Sequence, residues 1–198
     1  MKQSVFVPRF RVAWCVRTTR SGRLALLAAT TAATLLGAAG VAQAAEVNFA
    51  RNALVRSLTL PCTLGSGPEN AVDGASSNIY TDKWCTVAGR PRIIITLPLS
   101  ARSATINRVV VKHAGAGGES TALNTKSFYM NAYQILGGLG LVHSRTIAQV
   151  FANTASVTTH PVNLTSVFEI VLDVFVPTQN GNPATRIYEV EVWGTPPM

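Results

Sequence analysis

The sequence predicts an all-β domain of antiparallel strands. Three observations predict it. Apolar and polar residues alternate with period two in several runs rich in β-branched and aromatic residues. Gly- and Pro-rich turn formers separate those runs. No stretch after residue 45 carries a sustained helical period. Short strands with such turns make a sandwich, a jelly roll or a barrel, and periodicity alone does not choose among the three.

The chain opens with an expected export signal over residues 1–44. Lys2, Arg9, Arg11, Arg17, Arg20 and Arg23 form a basic start with no acid. An Ala- and Leu-rich apolar run from Leu24 to Val41 follows and closes on Ala42-Gln43-Ala44, a small-x-small cleavage site before Ala45. The alternative is an uncleaved membrane anchor, since the run approaches spanning length. Thr30, Thr31, Thr34, Gly37 and Gly40 weaken it as a stable span. The expected mature domain is residues 45–198, a length suited to one domain with a real core.

Within that domain the strands read in order. Ile93-Ile94-Ile95-Thr96-Leu97 is a β-branched run, and Thr105 to His113 carries Ile106, Val109, Val110 and Val111. From Ser127 to Leu136, Phe128, Met130 and Ala132 alternate with Tyr129, Asn131 and Tyr133. Val167 to Val176 places Phe168, Ile170, Leu172 and Val174 on one face. Arg186 to Trp193 sets Tyr188, Val190 and Val192 against Glu189 and Glu191. Turn formers fall at Gly65 to Pro68, Gly115 to Gly118, Gly137 to Gly140 and Pro177 to Pro183. Trp84 and Trp193 are expected in the core.

Removing the signal changes two inferences. The whole chain has 17 basic and 9 acidic residues and a net charge of +8. Six of the basic residues lie before Ala45, so the mature chain is close to neutral at +2. The remaining Lys and Arg are scattered singly, which argues against a nucleic-acid partner. Of three cysteines, Cys15 leaves with the signal. Cys62 and Cys85 remain, and two cysteines in an exported protein read as one disulfide. Their spacing does not suit zinc, which takes three or four ligands.

Five segments, in order, carry a resemblance to a known family: Asn52-Ala53-Leu54; Glu69-Asn70-Ala71-Val72-Asp73-Gly74 with Asp82-Lys83-Trp84-Cys85; Arg108 to Glu119; Asn124 to Phe128; and Arg186 to Gly194. Together they resemble the discoidin-like, or coagulation factor type C, domains of the galactose-binding-like superfamily, which include the family 32 carbohydrate-binding modules. The resemblance implies an eight-stranded antiparallel jelly-roll β-sandwich with its two ends close together, and it supports a Cys62–Cys85 bridge. Two stretches depart from the family pattern: Ala75 to Thr81 is a few residues longer, and Gly137-Gly138-Leu139-Gly140 replaces a Ser-x-Asp-Gly turn.

The resemblance also implies a structural calcium ion tying the Asp-Gly loop to the last strand. Asp73 and Glu189 would give side-chain oxygens, and Asn70, Ala75 and Tyr188 main-chain carbonyls. Asn78 or Asp82 would replace a missing Thr ligand. Such a set of oxygens is what calcium takes. The competing reading is that Asp73 caps its own turn and that Glu189 points outward.

A ligand cleft is expected at the loop end. His113, Glu119 and Asn124 would supply the polar half of a sugar site. Tyr80, the obvious loop aromatic, would supply the stacking face. The competing reading of the polar trio is turn chemistry and a satisfied histidine. No Gly-x-Ser-x-Gly or His-Glu-x-x-His signature is present, and His113 with Glu119, or His143 and His160 with a serine, form no recognisable catalytic set. The resemblance, with polar residues at the loop end, implies a secreted, non-catalytic, lectin-like module for galactose-type or cell-wall glycans. The alternative is an extracellular protein-interaction or structural module. A phospholipid membrane is disfavoured, because neither apolar spikes nor basic clusters are evident in the loops.

Overall fold

The computed structural model describes residues 44–136 and 140–197. The expected export signal, apart from Ala44, lies outside the described residues, as does most of the turn Gly137 to Gly140.

Among the described residues, ten strands form two antiparallel sheets. The first sheet contains β1 (Val47–Asn48), β3 (Trp84–Val87), β5 (Thr105–His113), β8 (Val157–Thr165) and β10 (Ala184–Thr195). Its order is β1-β10-β5-β8, and β3 pairs with the start of β10. The second is β2-β4-β9-β6-β7, made of β2 (Leu54–Ser57), β4 (Arg92–Thr96), β6 (Ser127–Leu136), β7 (Leu141–Val150) and β9 (Val167–Val176). The β-sandwich implied by the resemblance is present. The described residues hold ten strands where eight are implied, and two short ones, β1 and β3, share one edge of β10. The two ends of the domain meet as expected: Val47 pairs with Gly194 and Asn48 with Trp193.

The core lies between the sheets and follows the period-two pattern. Ile93 and Ile95 of β4, Phe128, Met130 and Ala132 of β6, and Ile170 and Leu172 of β9 are fully buried. They face Ile106, Val109 and Val111 of β5 and Val190 and Val192 of β10. A fully buried apolar side chain contributes about 1.5–3 kcal/mol, so this layer fixes the register. One departure from the expected faces is Phe168. A register shift opposite Tyr133 and Gln134 makes it the unpaired residue, and Val167 fills the core instead. A single turn of helix, α1 (Leu99–Ser103), leads from β4 into β5.

A second irregularity positions the site. Along β10, Ile187 pairs with His113 and Glu189 with Lys112, so Tyr188 is the extra residue of a β-bulge. The bulge breaks the alternation: Ile187 and Val190 both enter the core. Tyr188 swings towards the loop after β5, where its hydroxyl meets Glu119.

Candidate ligand cleft

A cleft of about 450 Å³ opens where β3, the start of β10 and two loops meet. Its order begins in the loop before β3. Asp82 Oδ2 accepts hydrogen bonds from the main-chain N–H groups of Asn78 (2.9 Å) and Ser77 (3.1 Å), and Asn78 Oδ1 accepts one from Tyr80 N–H (2.9 Å). Short polar side chains closing their own turns in this way are common in loops. The Asn78 N–H, followed by the hydroxyls and N–H beside it, holds the Asp82 carboxyl below the usual carboxylate range. The turn leaves the Tyr80 ring 74% exposed on the cleft wall. Ile79, Val87, Pro183 and the bridge between Cys62 and Cys85 complete the apolar lining. The bridge joins Cα atoms 5.3 Å apart. Pro61 pairs with Thr86, and Cys62 N–H donates to the Cys85 carbonyl, so the wall is stitched to β3.

The polar side of the cleft is ionic. Glu119 Oε1 accepts from Lys83 Nζ at 2.5 Å and from the Tyr188 hydroxyl at 2.7 Å, and Arg186 Nε lies 3.2 Å from Oε2. Lys83 Nζ also donates to the Ile79 carbonyl. Arg186 Nη1 donates to Asn182 Oδ1 and to the Ala184 carbonyl. Burial, then Glu119, pushes the Tyr188 phenol well above its ordinary range, so it stays a donor. Gly117 lets this ring in: a Cβ there would lie 1.9 Å from Tyr188 Cε1.

Two of the four expected ligand residues, Tyr80 and Glu119, therefore share one cleft. The other two do not join them. His113 is fully buried, its ring 5.4 Å from that of Phe128, with Nε2 3.3 Å from Thr158 Oγ1. It ends β5 on the core side of the sheet, and burial with His160 nearby pushes its pKa down to about 4. Asn124 is also fully buried. Its Oδ1 accepts from Gly115 N–H (2.7 Å), and its Nδ2 donates to the Thr154 carbonyl (3.1 Å). It is a strut between two loops and leaves no polar atom for a ligand. Lys83, Arg186 and Asn182 line the cleft with Tyr80 and Glu119. Two tryptophans divide in the same way. Trp84 is in the core, whereas Trp193 is half-buried on the outer face, with Arg108 stacked 5.1 Å above it. His143 lies on the exposed part of β7.

For calcium, the donor set divides. Glu189 is 1% exposed; its Oε2 accepts from Gly74 N–H at 3.0 Å, while Oε1 is buried with no hydrogen-bond partner among the described residues. Burial pushes Glu189 up to about 7, and Asp73 adds to the shift. An unpartnered buried carboxylate oxygen near a second carboxylate fits a hard cation. Asp73 also makes the turn bond of the competing reading, from Ala75 N–H to Oδ1 at 2.7 Å. Asn78 and Asp82 do not fit as ligands, because their side-chain oxygens are spent inside the 77–82 turn. Asn70 anchors its side chain by donating from Nδ2 to the carbonyl of Gly65.

One surface feature was not visible in the sequence. Leu58, Leu60 and Leu64 are 95%, 87% and 101% exposed on the segment around Cys62. The expectation of loops without apolar spikes does not hold for this segment.

No protein-family model and no curated protein matches the chain. Solved structures do. The family 32 carbohydrate-binding module of Streptococcus pneumoniae EndoD is 29% identical with a TM-score of 0.58, covering 74% of this chain and 98% of that module. Chitosan-binding module 1 of a Paenibacillus sp. IK-5 chitosanase/glucanase is 18% identical with a TM-score of 0.54, covering 75% and 99%. A fucose-binding module of Streptococcus pneumoniae is 12% identical with a TM-score of 0.53, covering 74% and 96%. The sandwich, its paired ends and these likenesses agree: the chain has the discoidin-like, galactose-binding-like fold of the family 32 carbohydrate-binding modules.

Proposed function

We propose that the protein is an exported, non-catalytic carbohydrate-binding module that takes a galactose-type or cell-wall glycan in the Tyr80 cleft. The observation that carries this reading is the pairing of an open aromatic ring with buried, ordered charges in one concavity. A sugar needs both: an apolar face to lie on and fixed polar groups for its hydroxyls. The likeness to modules named for carbohydrate, chitosan and fucose supports it. A calcium ion held by Asp73 and Glu189, with main-chain oxygens of Asn70, Ala75 and Tyr188, would fix the bulge beneath the cleft and supply only structure.

A glycan array read with wild type and Tyr80→Ala tests the reading. Wild type is expected to retain a defined glycan group and the variant to lose it, while both melt alike. Retention of no glycan by wild type would contradict it.

The second reading is an extracellular protein-interaction module. It is favoured by Leu58, Leu60 and Leu64, three large apolar side chains exposed on the one segment around the disulfide, since exposed apolar surface suits a protein partner. Leu60→Ser would then abolish capture of a partner from secreted or wall fractions, and free sugar would not compete.

A further inference from the structure

The ionic side of the cleft has a donor–acceptor imbalance that narrows the ligand. Glu119 is the only acid among the lining residues; its Oε1 accepts from Lys83 and Tyr188, and its Oε2 lies 3.2 Å from Arg186 Nε. Asn182 Oδ1 is likewise taken, by Arg186 Nη1 and Ala184 N–H. The donors are not exhausted. Lys83 has three N–H bonds, two of them used on Glu119 and the Ile79 carbonyl. Arg186 has five, committed through Nε and Nη1; among the described residues Nη2 has no partner. The two cations and one carboxylate sum to an excess positive charge, with side chains only 9%, 15% and 12% exposed.

A neutral sugar hydroxyl both donates and accepts. Here the one carboxylate is already held between Lys83, Tyr188 and Arg186, while N–H donors on both cations remain open. An anionic oxygen group only accepts. It would meet free N–H donors on partly desolvated lining side chains that carry one excess positive charge, with the Asp82 carboxylate in the adjoining turn opposing it, and charge-assisted bonds are about twice as strong as neutral ones.

We propose that the cleft selects anionic saccharides, with the acidic group, a carboxylate or a phosphate, bound at Lys83 and Arg186 while the sugar ring lies on Tyr80. This rests on the reading of the cleft as a glycan site.

The test uses the full secreted protein on immobilised matched pairs: uronate-containing polysaccharides against their carboxyl-reduced forms, and phosphorylated glycans before and after phosphatase. An acidic member should bind at least tenfold more tightly than its neutral partner. Which kind of pair responds identifies carboxylate or phosphate. Binding to that member should also weaken several-fold as salt rises from about 0.05 to 0.5 M, since the contact is partly open to solvent. Arg186→Gln should erase the preference. Because that variant also loosens Glu119, the salt dependence of wild type stands as an independent readout. Equal or better binding to neutral partners overturns the anionic preference and leaves the glycan reading intact. Failure of every member of every pair overturns both.

Discussion

The hydroxyl of Tyr188 donates a 2.7 Å hydrogen bond to Glu119 Oε1, joining the bulge in β10 to the loop after β5. The bond goes to a charged acceptor from a fully buried phenol. Bonds of that kind contribute about 1.5–3 kcal/mol. Tyr188→Phe keeps the ring and removes the bond. A loss of that order in denaturant unfolding is expected, with weaker glycan binding because Lys83 and Arg186 lose a fixed partner. An unchanged midpoint would show that the bond holds nothing.

Gly117 lies against the same ring. A Cβ there would meet Tyr188 Cε1 at 1.9 Å, far inside contact distance. Relief requires moving a buried ring in a bulged strand, and overpacking of this kind costs about 1–3 kcal/mol. Gly117→Ala should melt several degrees below wild type. By contrast, Gly89→Ala, where nothing lies within 4 Å, should melt like wild type. The contrast between the two separates the contact from any general effect of glycine.

His113 gives the domain an acid weakness. Burial, with His160 nearby, pushes it down to about 4 in the folded state, against about 6.5 unfolded. The unfolded chain binds the proton first. The stability is therefore complete above about 6.5 and drains as pH falls towards 4, by roughly 3 kcal/mol. Glu189, raised to about 7, works in the opposite sense and loses stability as pH rises. The readout is therefore the difference between wild type and His113→Leu. Between pH 7 and pH 4 the variant should gain on wild type by several degrees in melting temperature. Parallel curves would refute the assignment.

The calcium proposal makes a separate claim on Glu189. An ion bound only by the folded state stabilises it by about 2.7 kcal/mol at a hundred times Kd. That is several degrees for a domain of this size. Calcium should raise the melting temperature of wild type, a chelator should reverse the rise, and Glu189→Gln should be indifferent to both. A chelator without effect on wild type after exhaustive calcium loading would remove the ion from the account.

The sequence carried the central strands well because burial acts on them from one or both faces. Thr105–His113, Ser127–Leu136 and Val167–Val176 begin and end where the alternation does. It did not reveal β7 and β8, since these are edge strands. Leu141 to Thr146 is exposed throughout, which erases the alternation, and Pro161 in β8 is tolerated only because an edge strand can forgo a donor. The candidate cleft was half legible. Tyr80 and Glu119 stand out as an aromatic and an acid in loops. Lys83 and Arg186 do not, because nothing local says that residues 83, 119 and 186 will meet. His113 and Asn124 follow the competing reading, a satisfied histidine and turn chemistry; a strand-end histidine and a loop asparagine look alike in sequence whether they face solvent or, as here, the interior.

The most direct test of the cleft is a crystal structure of the protein soaked with the saccharide that binds best. Density for a sugar ring on Tyr80, with an oxygen group within hydrogen-bond distance of Lys83 Nζ or Arg186 Nη2, is the predicted result. A saccharide ordered elsewhere on the domain, with the Tyr80 cleft empty at saturating concentration, would contradict it.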